Sequence, residues 1–204
     1  VPAGGVTCCL SHIDILELTM PVTLLDRKCA LVVIDLQHGI VGYPTVHPIA
    51  DVIARSAALA AAFRKRNLPV VLVNVTGGAP GRAEQARNLG DLPAGWADLV
   101  PELDQQPTDF LVTKRTWGAF TNTGLKGLLD NQQVTQLVLT GVATSVGVES
   151  TARHAYELGF NLTLAIDAMT DMNADCHENS VTRIFPKLGE RGTTQQILDL
   201  LASC

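Results

Sequence analysis

Three places in the chain carry groups that could do chemistry together: Asp35, Lys114, and the segment Gly141-Val-Ala-Thr-Ser-Val-Gly147. Asp35 follows the apolar run Leu31–Ile34, so its carboxylate is expected to be shielded from water. Shielding raises a carboxyl pKa, and an ammonium nearby, such as that of Lys114, lowers it. Gly147 falls in the first turn of an expected helix, where glycine costs roughly 0.5–1 kcal/mol relative to alanine. Close approach of a ligand to the backbone is a reason to keep glycine there. First-turn amides have no partner within the helix and can donate to a carboxylate or a developing oxyanion. Taken singly, each place has a plain structural explanation: a turn aspartate, a solvated lysine, a routine glycine turn. Their joint position at strand ends is what argues for a site.

The surrounding pattern supplies those strands. Ala30–Leu36 (ALVVIDL), Val70–Val75 (VVLVNV), Phe110–Thr113, Gln136–Thr140 (QLVLT) and Leu162–Ile166 read as strands, several with apolar residues on both faces. Between them, Pro48–Arg66 has helical spacing, with Arg64-Lys65-Arg66 at the end where the helix dipole is negative. Further helices are expected over Gly124–Leu129, Ser145–Leu158, 175–185 and 194–202, the second of them stopped by Gly159. Thr76–Pro107 is punctuated by glycine and proline and reads as a long ordered loop with a short helix or two; loops of that length in compact domains are usually functional. Strands alternating with helices imply a three-layer α/β/α sandwich with a mainly parallel sheet. In such sheets ligands bind beyond the carboxyl ends of the strands, where Asp35, Lys114 and the Gly141–Gly147 turn all fall.

The 204 residues suit one domain, and 47% hydrophobic with 17% charged residues excludes a disordered chain. A net charge of −5 leaves no basic face for nucleic acid. The longest unbroken apolar run, Ala57–Phe63, is too short for a membrane span. Five scattered cysteines without metal or redox spacing point to reduced thiols in a cytoplasmic protein. Residues 1–19 lack Lys and Arg and are interrupted by Asp14 and Glu17, so they are expected to be an N-terminal extension and not a signal peptide, with Met20 a possible natural start and the domain running over 20–204.

Ala30-Leu-Val-Val-Ile-Asp35-Leu-Gln37, Thr113-Lys114-Arg-Thr-Trp-Gly-Ala119-Phe120, and Gly141 through Thr151-Ala152 resemble, in order and spacing, the three signature blocks of the isochorismatase-like hydrolase superfamily. The resemblance runs from about Met20 to the C-terminus. It implies a site built on an Asp–Lys–Cys triad in most members, with Asp35 and Lys114 matching the first two. Gly147 stands where the cysteine would be, so no thiolate can form there and the covalent acyl-enzyme route is closed. True isochorismatases resemble this pattern with glycine at that position and hydrolyse an enolpyruvyl ether. The resemblance therefore implies a hydrolase without cofactor or metal, acting on a small polar or anionic metabolite such as isochorismate. Asp35 would be the general acid, Lys114 would orient it or hold a substrate carboxylate, and the amides near Ala143 and Gly147 would bind another acceptor. Trp117 and Phe120 match pocket-lining positions, Gln37 closes the first block, and the Val142–Ala143 bond matches a cis peptide. A homo-oligomer, dimer or tetramer, is also implied. Arg82 and Arg87, on the long loop, are candidates to attract an anionic substrate.

Two other readings compete. Loss of the nucleophile also suits a protein of this fold that binds or assembles without catalysis. A dinucleotide-binding enzyme is disfavoured, because Asp35-Leu-Gln-His-Gly39 stands where a G-x-G-x-x-G turn would follow the first strand.

Overall fold

The computed structural model describes residues 22–85 and 92–203. The expected extension over 1–19 and Arg87 lie outside them. The strands are β1 (Cys29–Ile34), β2 (Val70–Val75), β3 (Phe110–Lys114), β4 (Gln136–Val142), β5 (Asn161–Thr170) and β6 (Glu190–Gly192). The helices are α1 (His38–Val41), α2 (Ile49–Lys65), α3 (Leu125–Asn131), α4 (Glu149–Glu157), α5 (Ala174–Asn179) and α6 (Thr194–Ser203). All six strands run parallel in the order β3-β2-β1-β4-β5-β6. The order reverses between β1 and β4, the kind of position at whose carboxyl ends parallel sheets bind ligands.

Alternate residues of β1 feed two cores. Leu31 and Val33 pack with Val52, Leu59 and Phe63 of α2 and Ile197 and Leu201 of α6. Ala30, Val32 and Ile34 pack on the other face with Leu125 and Leu129 of α3 and Ala152 and Ala155 of α4. Burial on both faces is why β1, β2 and β4 are nearly continuous apolar runs. The last turn of α2 is tied down by Arg64, whose guanidinium makes two bonds to Asp109 (3.0 and 2.7 Å) and one to the Leu103 carbonyl (3.0 Å).

Three features depart from the sequence expectation. First, β5 extends to Thr170. A register shift between Leu139 and Gly141 lets it re-pair with β4 beyond the irregularity. The polar Asp167 inside it accepts from the Thr194 amide (2.7 Å) and hydroxyl (2.9 Å) at the start of α6. Second, the helix expected from Ser145 begins with a π-helical turn, Thr144–Val148, and the one expected over 175–185 closes with another, Ser180–Ile184. Third, β6 and α1 are short elements with no apolar pattern to mark them in the sequence. Within the long loop, a 3-10 turn (Pro101–Leu103) is the one helical element of its described residues.

Gly141 is fixed by backbone crowding. Its φ is +119°, and a Cβ there would meet the Ile34 carbonyl oxygen at 2.0 Å. Only glycine lets β4 approach β1 this closely at the carboxyl end of the sheet. Among the described residues no helix is long and apolar enough to cross a membrane.

Candidate active site

Asp35 leaves β1 in the left-handed region, φ +54°, a conformation aspartate tolerates better than most side chains. Its amide still donates to the Val73 carbonyl (2.9 Å), continuing the β1–β2 ladder one step. The turn aims the carboxylate toward Lys114, the last residue of β3. Asp35 is 6% exposed and Lys114 2%. Lys114 Nζ lies 2.8 Å from Asp35 Oδ2 and also donates to the Trp117 carbonyl at 2.5 Å. Asp35 Oδ1 is buried with no hydrogen-bond partner. Burial raises the Asp35 pKa from 3.8 to about 6 against the opposing pull of Lys114. A carboxyl in that range is protonated for part of the time near neutrality and can serve as an acid or, once ionised, as a base.

Gly147 borders this pair. A Cβ built on it would lie 3.1 Å from Asp35 Oδ2, 3.3 Å from Lys114 Nζ and 2.9 Å from Ile34 Cγ2. The missing side chain is therefore what lets the turn seat against the ion pair. The turn has its own fastening. The Ala143 carbonyl accepts from the amides of Val146 and Val148, each at 3.1 Å, and the Val142–Ala143 peptide bond is cis. The Ser145 amide donates to Asp171 Oδ2 at 2.7 Å. Open first-turn amides were expected here, but Ser145, Val146 and Val148 are engaged. Thr151 donates its hydroxyl to the Gly147 carbonyl (2.7 Å) and accepts from the Ala119 amide (3.1 Å).

The structure thus brings Asp35, Lys114 and Gly147 together, with the buried Ala143 at the start of the turn. Other candidates are placed differently. Gln37 is fully buried, with its carboxamide engaged by backbone: Nε2 donates to the carbonyls of Val75 (3.0 Å) and Trp96 (3.3 Å), and Oε1 accepts from the Val75 amide (2.7 Å). It fastens the loop after β2 to the end of β1. Phe120 is 7% exposed and packs against His154 and Phe160, with centroids 5.3 and 6.1 Å away, so it is a core aromatic. Trp117 is 63% exposed beside Lys114. Arg82 is exposed on the loop after β2.

Sequence reasoning missed Thr151, Asp171 and His177. Thr151 stands four residues beyond Gly147, hence on the same helical face, and that spacing was the available signal. His177, on α5, is buried; Thr144 Oγ1 lies 2.9 Å from its Nδ1, and the His47 ring meets it edge-on at 4.7 Å. Burial, then His47, holds the His177 pKa below its usual value. Among the described residues no three His, Cys, Asp or Glu side chains converge as a metal site would require.

A family model for the isochorismatase domain matches residues 29–196. YwoC, an uncharacterized isochorismatase family protein of Bacillus subtilis, is 41% identical over 180 residues, which covers 85% of this chain and 94% of its own. The streptothricin hydrolase of Streptomyces noursei is 35% identical over 140 residues, or 68% of this chain and 48% of its own. Among solved structures, an isochorismatase family protein from Burkholderia thailandensis aligns with a TM-score of 0.85 at 40% identity, covering 88% of this chain and 98% of the other.

Proposed function

Because the chain belongs to the isochorismatase family and is a hydrolase, we propose that it cleaves a small polar or anionic enol ether, of which isochorismate is the type, by proton donation from Asp35 and attack of water. The observation that carries this reading is the Asp35 carboxyl, buried with one unpartnered oxygen and a pKa raised to about 6, facing a glycine where a thiol would otherwise stand. Acyl transfer needs a nucleophile at that point, and a bare backbone offers none.

Protonated Asp35 gives its proton to the methylene carbon of the vinyl ether, leaving an oxocarbenium ion. Water adds to the neighbouring, ether-bearing carbon of that cation and returns a proton to the carboxylate, and the resulting hemiketal collapses to an alcohol and an α-keto acid. Atoms balance with one water consumed, and the steps call for no cofactor. Lys114 stabilises the Asp35 carboxylate left after proton donation, at 2.8 Å, so the charge develops against an ammonium already in place. The exposed Trp117 indole and the Ala143–Gly147 turn complete the substrate surface in this reading, and Arg82 steers an anionic substrate from the loop. In this reading the enzyme acts without a cofactor in a reducing, cytoplasmic setting, where the exposed Cys176 thiol stays unoxidised. A homo-oligomer is part of the same reading, supported by exposed Leu111 on the edge strand β3 and by exposed Tyr156 and Leu158; light scattering measures it.

The test is pyruvate release from isochorismate, read by coupled NADH oxidation, with other enol ethers and amides alongside. Turnover by the parent that disappears in Asp35→Asn is the expected result. Turnover of amides alone, or enol-ether turnover indifferent to Asp35→Asn, would overturn the mechanism.

A further inference from the structure

We infer that Asp171 is a positioning residue, holding the π-helical turn so that Gly147 stays seated against the Asp35–Lys114 pair. Asp171 follows β5, is buried, and uses both carboxylate oxygens. Oδ2 accepts from the Ser145 amide (2.7 Å) and the Ser145 hydroxyl (2.8 Å), and Oδ1 accepts from the Asn173 amide (3.2 Å). Its own carbonyl accepts from the Val46 amide (2.8 Å), which anchors it to the segment before α2. The adjacent residue of the turn, Thr144, is held separately by His177 of α5. The first two residues of the turn are therefore gripped by side chains from the β5–α5 region, while Gly147 two positions on makes the contact with the acid. Hydrogen bonds to a charged acceptor are the stronger kind, and a π-turn has no regular helical ladder ahead of it to define its path. Fixing Ser145 fixes where the Gly147 Cα falls.

The role in turnover rests on the reaction proposed above, but the geometry is testable without any substrate. Hydrogen exchange of the amides over 143–148 should quicken by about tenfold or more in Asp171→Ala, since a charge-assisted bond is lost there. Asp171→Asn keeps an oxygen to accept the Ser145 amide and should stay within about threefold of the parent. Exchange in β1 and β2 should be unchanged in both. If Asp171→Ala leaves 143–148 as protected as in the parent, or speeds β1 and β2 equally, the inference fails. Should the parent turn over an enol ether, Asp171→Ala should lower kcat with little change in KM, and Asp171→Asn should restore it; equal loss in both variants would count against positioning. A parent without turnover refutes the proposed reaction while the exchange result still decides the role of Asp171.

Discussion

Lys114 Nζ pairs with Asp35 through Oδ2 alone, at 2.8 Å, and leaves Oδ1 buried and unpartnered. The two oxygens of one carboxyl are thereby made unequal: one holds the counter-charge, the other is open to carry a proton. Several consequences can be measured.

Activity should depend on the protonated fraction of Asp35. With the pKa raised to about 6, kcat/KM is expected to be level below that pH and to fall about tenfold per unit above it. A profile rising through this range would instead make Asp35 a base.

The same shift bears on stability. Asp35 titrates near 3.8 when unfolded and near 6 when folded, so the folded state binds the extra proton between those values. The stability it lends is fully present below pH 3.8 and is lost as pH rises through 6, by about 3 kcal/mol in all. Urea midpoints of the parent should show this slope between pH 4 and 7, and Asp35→Asn should lack it.

Replacing Lys114 removes the influence that lowers the Asp35 pKa. Lys114→Met is expected to move the kcat/KM inflection upward by about one unit or more. It should destabilise the fold by about 3–5 kcal/mol at pH 8, where a lone buried carboxylate remains, and by much less at pH 5, where that carboxyl is neutral. Equal destabilisation at both values would contradict the ion-pair account.

Gly147→Ala should lower both stability and activity. Its Cβ would press on Ile34 Cγ2 at 2.9 Å and on Asp35 Oδ2 at 3.1 Å, an overpacking expected to cost about 1–3 kcal/mol. Chemical denaturation and the pyruvate assay measure the two effects; a variant as stable and active as the parent would mean that the turn need not touch the pair.

Trp117 and Trp96 are the chain's two tryptophans. A substrate seated against the exposed indole should quench emission in the parent and in Trp96→Phe, and leave Trp117→Phe silent.

The sequence made the sheet and the three central positions legible for a physical reason. Strands buried on both faces must be apolar throughout, so Ala30–Ile34, Val70–Val73 and Leu137–Leu139 announce themselves, and the polar residues that end such runs stand out. Gly147 stands out because a glycine in a first helical turn is unfavourable unless contact demands it. What stayed hidden depends on tertiary partners. Nothing local distinguishes a glutamine that meets ligand from Gln37, whose carboxamide is engaged by the backbone of β2 and Trp96. Phe120 has the composition of a pocket wall, but its neighbours are His154 and Phe160. The three residues of β6 are held by β5 and have no periodicity of their own.

Thr151 joins two parts of the molecule that the chain order separates. Its hydroxyl donates a hydrogen bond to the Gly147 carbonyl and accepts one from the Ala119 amide. The loop that carries Trp117 and the turn that carries Gly147 thus share one oxygen as a common pivot. Displacing either segment must carry the other with it or break that pivot, so the Trp117 loop and the Gly147 turn are mechanically one piece.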